Sequence, residues 1–70
     1  MRKPNRLYDF YRELQEIHII HFPDWRFGQL CSNFFGWLMS EKGMDSFFPE
    51  EDRMLKYIKE YAEVYGSNNL

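Results

Sequence analysis

The sequence predicts an all-α protein, a compact three-helix bundle with a central second helix. Apolar residues recur at spacings of three and four in three successive segments, which is the period of an amphipathic helix. Proline and glycine punctuate the chain between these segments, and no partner for a β-strand is visible. The 70 residues are expected to form one small domain spanning 1–70.

The first helix is predicted over about residues 6–20. Asn5 is a suitable N-cap, because its side-chain oxygen can accept a hydrogen bond from a free amide of the first turn. Pro23 disfavours helical backbone at the residue before it, so the helix should end by that point. One face of the segment is apolar with two histidines: Leu7, Phe10, Tyr11, Leu14, Ile17, His18 and His21.

The second helix is predicted over about residues 25–42, with Asp24 as N-cap and Gly43 just beyond the last turn. Its apolar arc is about twice as wide as the usual stripe, so it should contact more than one neighbour. Beside this arc lies a stripe of small residues, and it should let a second chain approach closely: Gly28, Ser32 and Gly36.

The third helix is predicted over about residues 49–65. Pro49 suits the first helical position, and the acidic residues that follow complement the positive end of the helix dipole. Gly66 should end the helix, leaving 67–70 as a frayed tail. Phe47 and Phe48, in the connection before this helix, are candidates for a lid folded back onto the bundle.

The composition excludes several classes of protein. A single cysteine cannot form an internal disulfide, and 70 residues are too few for a multidomain enzyme. A net charge of −2 argues against a strongly basic nucleic-acid binder. The amino-terminal residues lack the apolar stretch of a secretory signal, and no run reaches the roughly 20 apolar residues of a membrane span. We therefore expect a cytoplasmic protein with no membrane association.

Enzyme chemistry is not predicted. His18 and His21 have a spacing that can hold a metal, but no second cluster of ligands accompanies them, and histidines hydrogen-bonded within the bundle are the favoured interpretation. Cys31 lies in the apolar arc of the second helix, which favours a buried, inert thiol over a nucleophile. We predict no catalytic residue, no cofactor, no metal and no small-molecule substrate.

The aromatic content, 20% of the chain, is the strongest functional signal in the composition. So many rings are hard to bury in a small core, and exposed aromatic residues mark protein-binding surfaces. The alternative explanation is that a small domain uses bulky residues to fill its core. The sequence thus predicts a protein-interaction module that self-associates or docks on a larger partner around the second helix. Aromatic anchors are expected at Trp25, Phe35 and Trp37, with directional polar contacts from Arg26, Gln29 and Asn33.

A nucleic-acid-binding regulator is the alternative prediction. Arg26, Gln29 and Asn33 share the polar strip of the second helix, and these are the side-chain types that hydrogen-bond base edges. Arg2, Lys3 and Arg6 are expected to supply only a small basic footprint. A solvated face, or polar groups that cap the adjacent loop, would explain the same strip without any nucleic acid.

Three short motifs resemble a family of short uncharacterised bacterial proteins, common in Gram-positive bacteria and mobile elements. They are Asn5-Arg6-Leu7, then Pro23-Asp24-Trp25-Arg26-Phe27-Gly28-Gln29-Leu30 with Asn33, and Phe48 with Glu50-Glu51-Asp52. The resemblance implies a small helical domain and brings no activity, cofactor or catalytic residue. Trp25 and Phe27 stand where smaller aliphatic residues are expected in that family.

Overall fold

Three α-helices form the protein in a computed structural model that describes residues 2–67. They are α1 (Asn5–His21), α2 (Phe27–Lys42) and α3 (Glu51–Tyr65). No β-strand occurs within those described residues, so the predicted all-α three-helix bundle is confirmed. Of the predicted frayed tail, residues 68–70 lie outside the described part of the chain.

The helix starts differ from the predicted ones. Pro4 precedes α1, so Asn5 is its first residue and its side chain caps nothing. α2 begins at Phe27 after a turn that contains Asp24 and Trp25, and its N-cap position is Arg26. The prediction for α2 failed because the residues after Pro23 form a turn closed by a hydrogen bond from the Trp25 amide to the Phe22 carbonyl.

The third helix also starts later than predicted. It ends at Tyr65, just before Gly66, as predicted. Glu50 occupies the N-cap position and Glu51 is the first helical residue, so Pro49 lies in the extended segment before the helix. α2 ends as predicted at Gly43, whose φ of 61° and ψ of 27° are left-handed and suit a residue without a side chain.

The core is built from all three helices and the turn after α1. α3 is the helix that packs against both of the others, while α1 and α2 barely approach each other along their backbones. α2 supplies the most deeply buried side chains, Leu30 and Leu38, and it is central in that sense. The buried residues are Ile17, Phe22, Leu30, Phe34, Leu38, Ile58, Tyr61 and Ala62.

Ion pairs join α3 to both neighbours. Arg6 Nε lies 2.8 Å from Glu51 Oε1, and Lys59 Nζ lies 3.0 Å from Glu13 Oε1, which links α3 to α1. Lys42, at the end of α2, pairs with Glu60 at 2.6 Å. Exposed pairs of this kind contribute about 0–1 kcal/mol each, so they orient the helices more than they stabilise them.

The end of α3 is fastened to the end of α1. The Ser67 amide donates to the His21 carbonyl at 2.8 Å, and His21 Nδ1 donates to the Ser67 carbonyl at 3.1 Å. A Cβ at Gly66 would lie 2.5 Å from the Ala62 carbonyl oxygen and 2.8 Å from the His21 Cβ. Glycine is therefore required at 66 by this close approach of the two helix ends.

Phe47 and Phe48 do not form a lid. They are 84% and 69% exposed, at the tip of a turn where the Phe47 amide donates to the Asp45 carboxylate at 2.9 Å. Their rings contact each other edge to face at 5.3 Å between centroids. The lid prediction was wrong because this Asp45 turn directs the pair away from the bundle.

Candidate functional site

An open apolar groove separates α1 from α2. It exists because both helices pack on α3 without closing on each other, so α3 forms the floor of the wedge between them. We call this feature the α1–α2 groove. Its cavity measures about 190 Å³ and is lined by Phe10, Tyr11, Leu14, Phe27, Leu30, Cys31, Phe34, Phe35, Met54 and Ile58.

Aromatic side chains form both rims of the α1–α2 groove. Tyr11 of α1 is 59% exposed, and Phe27 and Phe35 of α2 are 61% and 38% exposed. Phe34 and Ile58 are buried beneath them. The groove thus has a fixed apolar floor and rims that still face water, which is the arrangement that gains free energy when a partner covers it.

The size of the groove suits one or two apolar side chains. An apolar protein cavity of roughly 150 Å³ holds a benzene molecule, so about 190 Å³ accommodates an aromatic or a branched aliphatic group. No charged residue lines it, and α2 carries none from Phe27 through Ser40. An occupant would therefore be apolar, because a charge placed there would lose its hydration without gaining a counterion.

Cys31 lies in this groove and is half-buried rather than fully buried. Desolvation raises the pKa of its thiol above the ordinary value. A raised pKa leaves less thiolate at neutral pH, which is the opposite of what an activated nucleophile needs.

The two tryptophans lie elsewhere, in an aromatic cluster around Tyr61. Trp25 stacks on Phe22 with 4.6 Å between ring centroids, Phe22 lies 5.6 Å from Tyr61, and Tyr61 lies 5.3 Å from Trp37. Both tryptophans are half-buried against the core. Burial in this cluster also raises the pKa of Tyr61, and the neighbouring Tyr65 phenol adds to the shift.

The three predicted aromatic anchors are therefore not on one surface. Phe35 and Trp37 are two residues apart, and side chains at that spacing point to different sides of a helix. Phe35 lines the α1–α2 groove, whereas Trp37 contacts Tyr61 and has the Lys42 ammonium over its ring at 5.6 Å. Phe35 remains the only predicted anchor that lines the groove.

The predicted polar residues Arg26, Gln29 and Asn33 are all exposed. Gln29 has a local role, because its side-chain oxygen accepts a hydrogen bond from the Arg26 amide at 2.7 Å and so caps the start of α2. Within residues 2–67, five of the nine basic side chains form ion pairs with acidic ones. This pairing reduces the positive charge that phosphate groups would meet.

The predicted hydrogen-bonding of the histidines within the bundle is confirmed. His18 Nε2 donates to the Trp25 carbonyl at 2.7 Å, and His21 holds Ser67 as described above. In the part of the chain that the structure describes, no three side chains of His, Cys, Asp or Glu come together as a metal site. Over the same residues, no helix combines the length and the apolar character needed to cross a membrane.

Sequence reasoning identified Phe35 but missed Phe10, Tyr11 and Phe27 as members of the site. All three follow the apolar periodicity of their helices or flank it, so their pattern alone indicates core residues. They line an open groove because α1 and α2 stay apart, and that separation is a property of the packed bundle.

Comparison of the chain with protein-family models, with curated proteins and with solved structures finds no match. The resemblance to a family of short bacterial proteins stays a prediction.

Proposed function

We propose that this protein is a non-enzymatic protein-interaction module that receives an apolar helix of a partner protein in the α1–α2 groove. The observation that carries the proposal is the open wedge between two helices that both pack on a third. A fourth helix laid in this wedge would complete a four-helix arrangement and cover the aromatic rims.

A helix fits this site better than an extended peptide. The described residues contain no β-sheet edge to which an extended strand could add its backbone hydrogen bonds. A helix satisfies its own backbone hydrogen bonds and presents apolar side chains at i, i+3 or i+4, and i+7. The charge-free lining of the groove matches such an apolar stripe. Placement of the protein in the cytoplasm stays a prediction.

A display library of amphipathic helical peptides tests this function. We expect selection on the wild-type protein to enrich peptides with apolar anchors at helical spacing. Replacing both Phe27 and Phe35 by glutamine should weaken binding at least about tenfold, since rim aromatics are typical interface anchors.

A matched control is available outside the groove. Ile19 and Val64 are 60% and 64% exposed and lie outside the groove lining, so glutamine at both positions should leave binding unchanged. Peptides without helical spacing, or binding that survives glutamine at Phe27 and Phe35, would refute the proposed function.

A further inference from the structure

We infer that the helix received by the α1–α2 groove is α2 of a second copy of this chain, in an antiparallel two-fold pair centred on Cys31. The inference rests on the proposed function and identifies the partner. Phe27 and Phe35 are rim residues of the groove and also protrude from α2. The same side chains can therefore line one protomer's groove and enter the other's, as a two-fold interface requires.

The charge pattern of the chain favours α2 as the self-pairing element. A two-fold contact places each surface against its own copy, so every charge on that surface must either meet an opposite charge across the axis or be buried without one. The polar face of α3 alternates acidic and basic residues, and α1 exposes charged residues such as Asp9, Arg12 and Glu16. α2 has no charged side chain from Phe27 through Ser40, so a contact between two copies of α2 buries no charge along that length.

The available apolar area suits a weak dimer. A buried aromatic side chain covers roughly 150–250 Å². At the observed exposures, the rim residues Tyr11, Phe27 and Phe35 together offer roughly 240–400 Å² per protomer. A stable interface needs about 800 Å² per partner. With Met39, which is 51% exposed one helical turn beyond Phe35, the apolar area stays below that value, so the dimer is expected to be a weak one.

The packing of a single protomer does not explain why two positions of α2 are glycine. A Cβ at Gly28 or Gly36 would meet nothing within 4 Å, and neither residue has a positive φ. Glycine weakens a helix, so two of them on an exposed face are a cost that the protomer's own packing does not explain. Close approach by a second α2 explains both, because it requires a surface without side chains.

The antiparallel register follows from the spacing. Cys31 is four residues from both Phe27 and Phe35, which is about 6 Å of helix rise in each direction. A two-fold axis near Cys31 therefore places Phe27 of one protomer beside Phe35 of its partner. It also brings the two Cys31 thiols near each other, so a short bis-maleimide should link them in the folded dimer.

Sedimentation equilibrium of the purified chain, with bis-maleimide linkage through Cys31, tests this pairing. We expect a dimer at tens of micromolar with a covalent dimer formed in high yield. Gly36→Gln should weaken dimerisation at least about tenfold while it raises helix content, because glutamine is the better helix former. Weaker dimerisation with higher helix content indicates a blocked interface, whereas misfolding would lower both. Ile19→Gln serves as the control and should dimerise as the wild type does.

The outcomes separate this inference from the proposed function. If the chain stays monomeric at about 100 micromolar and its groove still binds selected helical peptides, the two-fold pair is refuted. The proposed docking function then stands. A monomer that binds no helical peptide overturns both. A dimer that Gly36→Gln leaves intact, or that does not link through Cys31, overturns the α2 pairing and assigns the contact to another surface.

Discussion

Replacing Gly66 by alanine tests the close contact between the ends of α1 and α3. Two effects oppose each other. The backbone at Gly66 has φ −77° and ψ 162°, which alanine adopts without strain. Reduced freedom of the unfolded chain should then stabilise the alanine variant by about 0.4–1 kcal/mol. A Cβ there would, however, lie 2.5 Å from the Ala62 carbonyl oxygen and 2.8 Å from the His21 Cβ.

The steric effect should dominate. An extra carbon forced into a filled site costs about 1–3 kcal/mol. If the segment moves to relieve the overlap, the hydrogen bond from the Ser67 amide to His21 weakens, and such a bond contributes about 0.5–1.5 kcal/mol. The free energy of unfolding of Gly66→Ala should therefore fall by about 1–3 kcal/mol. In a domain of this size, each kcal/mol lowers the melting temperature by roughly 4–8 °C.

Urea denaturation followed by far-ultraviolet circular dichroism measures this change, with all proteins at one concentration. Ser67→Ala is the control: it keeps the backbone donor and acceptor at 67, so its free energy of unfolding should stay within about 0.5 kcal/mol of the wild type. A Gly66→Ala protein as stable as the wild type, or more so, would show that the backbone term prevails and that the contact is loose.

Three further predictions concern α2. Gln29→Ala removes the acceptor of the Arg26 amide and should lower the free energy of unfolding by about 1 kcal/mol in the same assay. Asn33 is exposed, so Asn33→Ala should leave that free energy unchanged. Equal effects of the two substitutions would contradict the capping role. Because burial raises the pKa of Cys31, its alkylation at pH 8 should be slower than that of a free thiol and should keep rising above pH 9; a plateau below pH 8 would contradict the raised pKa. Electrophoretic mobility shifts at low salt should show no DNA binding, and a salt-sensitive shift that Arg26→Ala abolishes would restore the nucleic-acid alternative.

The fold was largely predictable because its information is local. Periodicity defined three helices, and Gly43 and Gly66 marked two of their ends. The N-terminal boundaries moved by one to two residues, and at α2 the cause is the turn between Phe22 and Trp25. Such turns depend on tertiary contacts, here the packing of Phe22 on Tyr61 of α3.

The site was predictable only in part. Aromatic content indicated an interaction surface, and Phe35 lines the groove that the structure reveals. Trp25 and Trp37 belong instead to the cluster around Tyr61, because large rings fill a small core efficiently. Composition gives the number of aromatic rings but not their positions in the fold. The gap between α1 and α2 decides which of these rings face water.

The bond between Ser67 and His21 gives the molecule a natural probe for solvent exchange. The Ser67 amide lies beyond α3, outside any helix, yet its proton is held by a carbonyl of α1. When α3 frays, the Ser67 amide keeps its bond to the His21 carbonyl. Water takes the place of that carbonyl only if the ends of α1 and α3 also separate. Its deuterium uptake therefore measures how often α1 and α3 part at this end, separately from the melting of either helix.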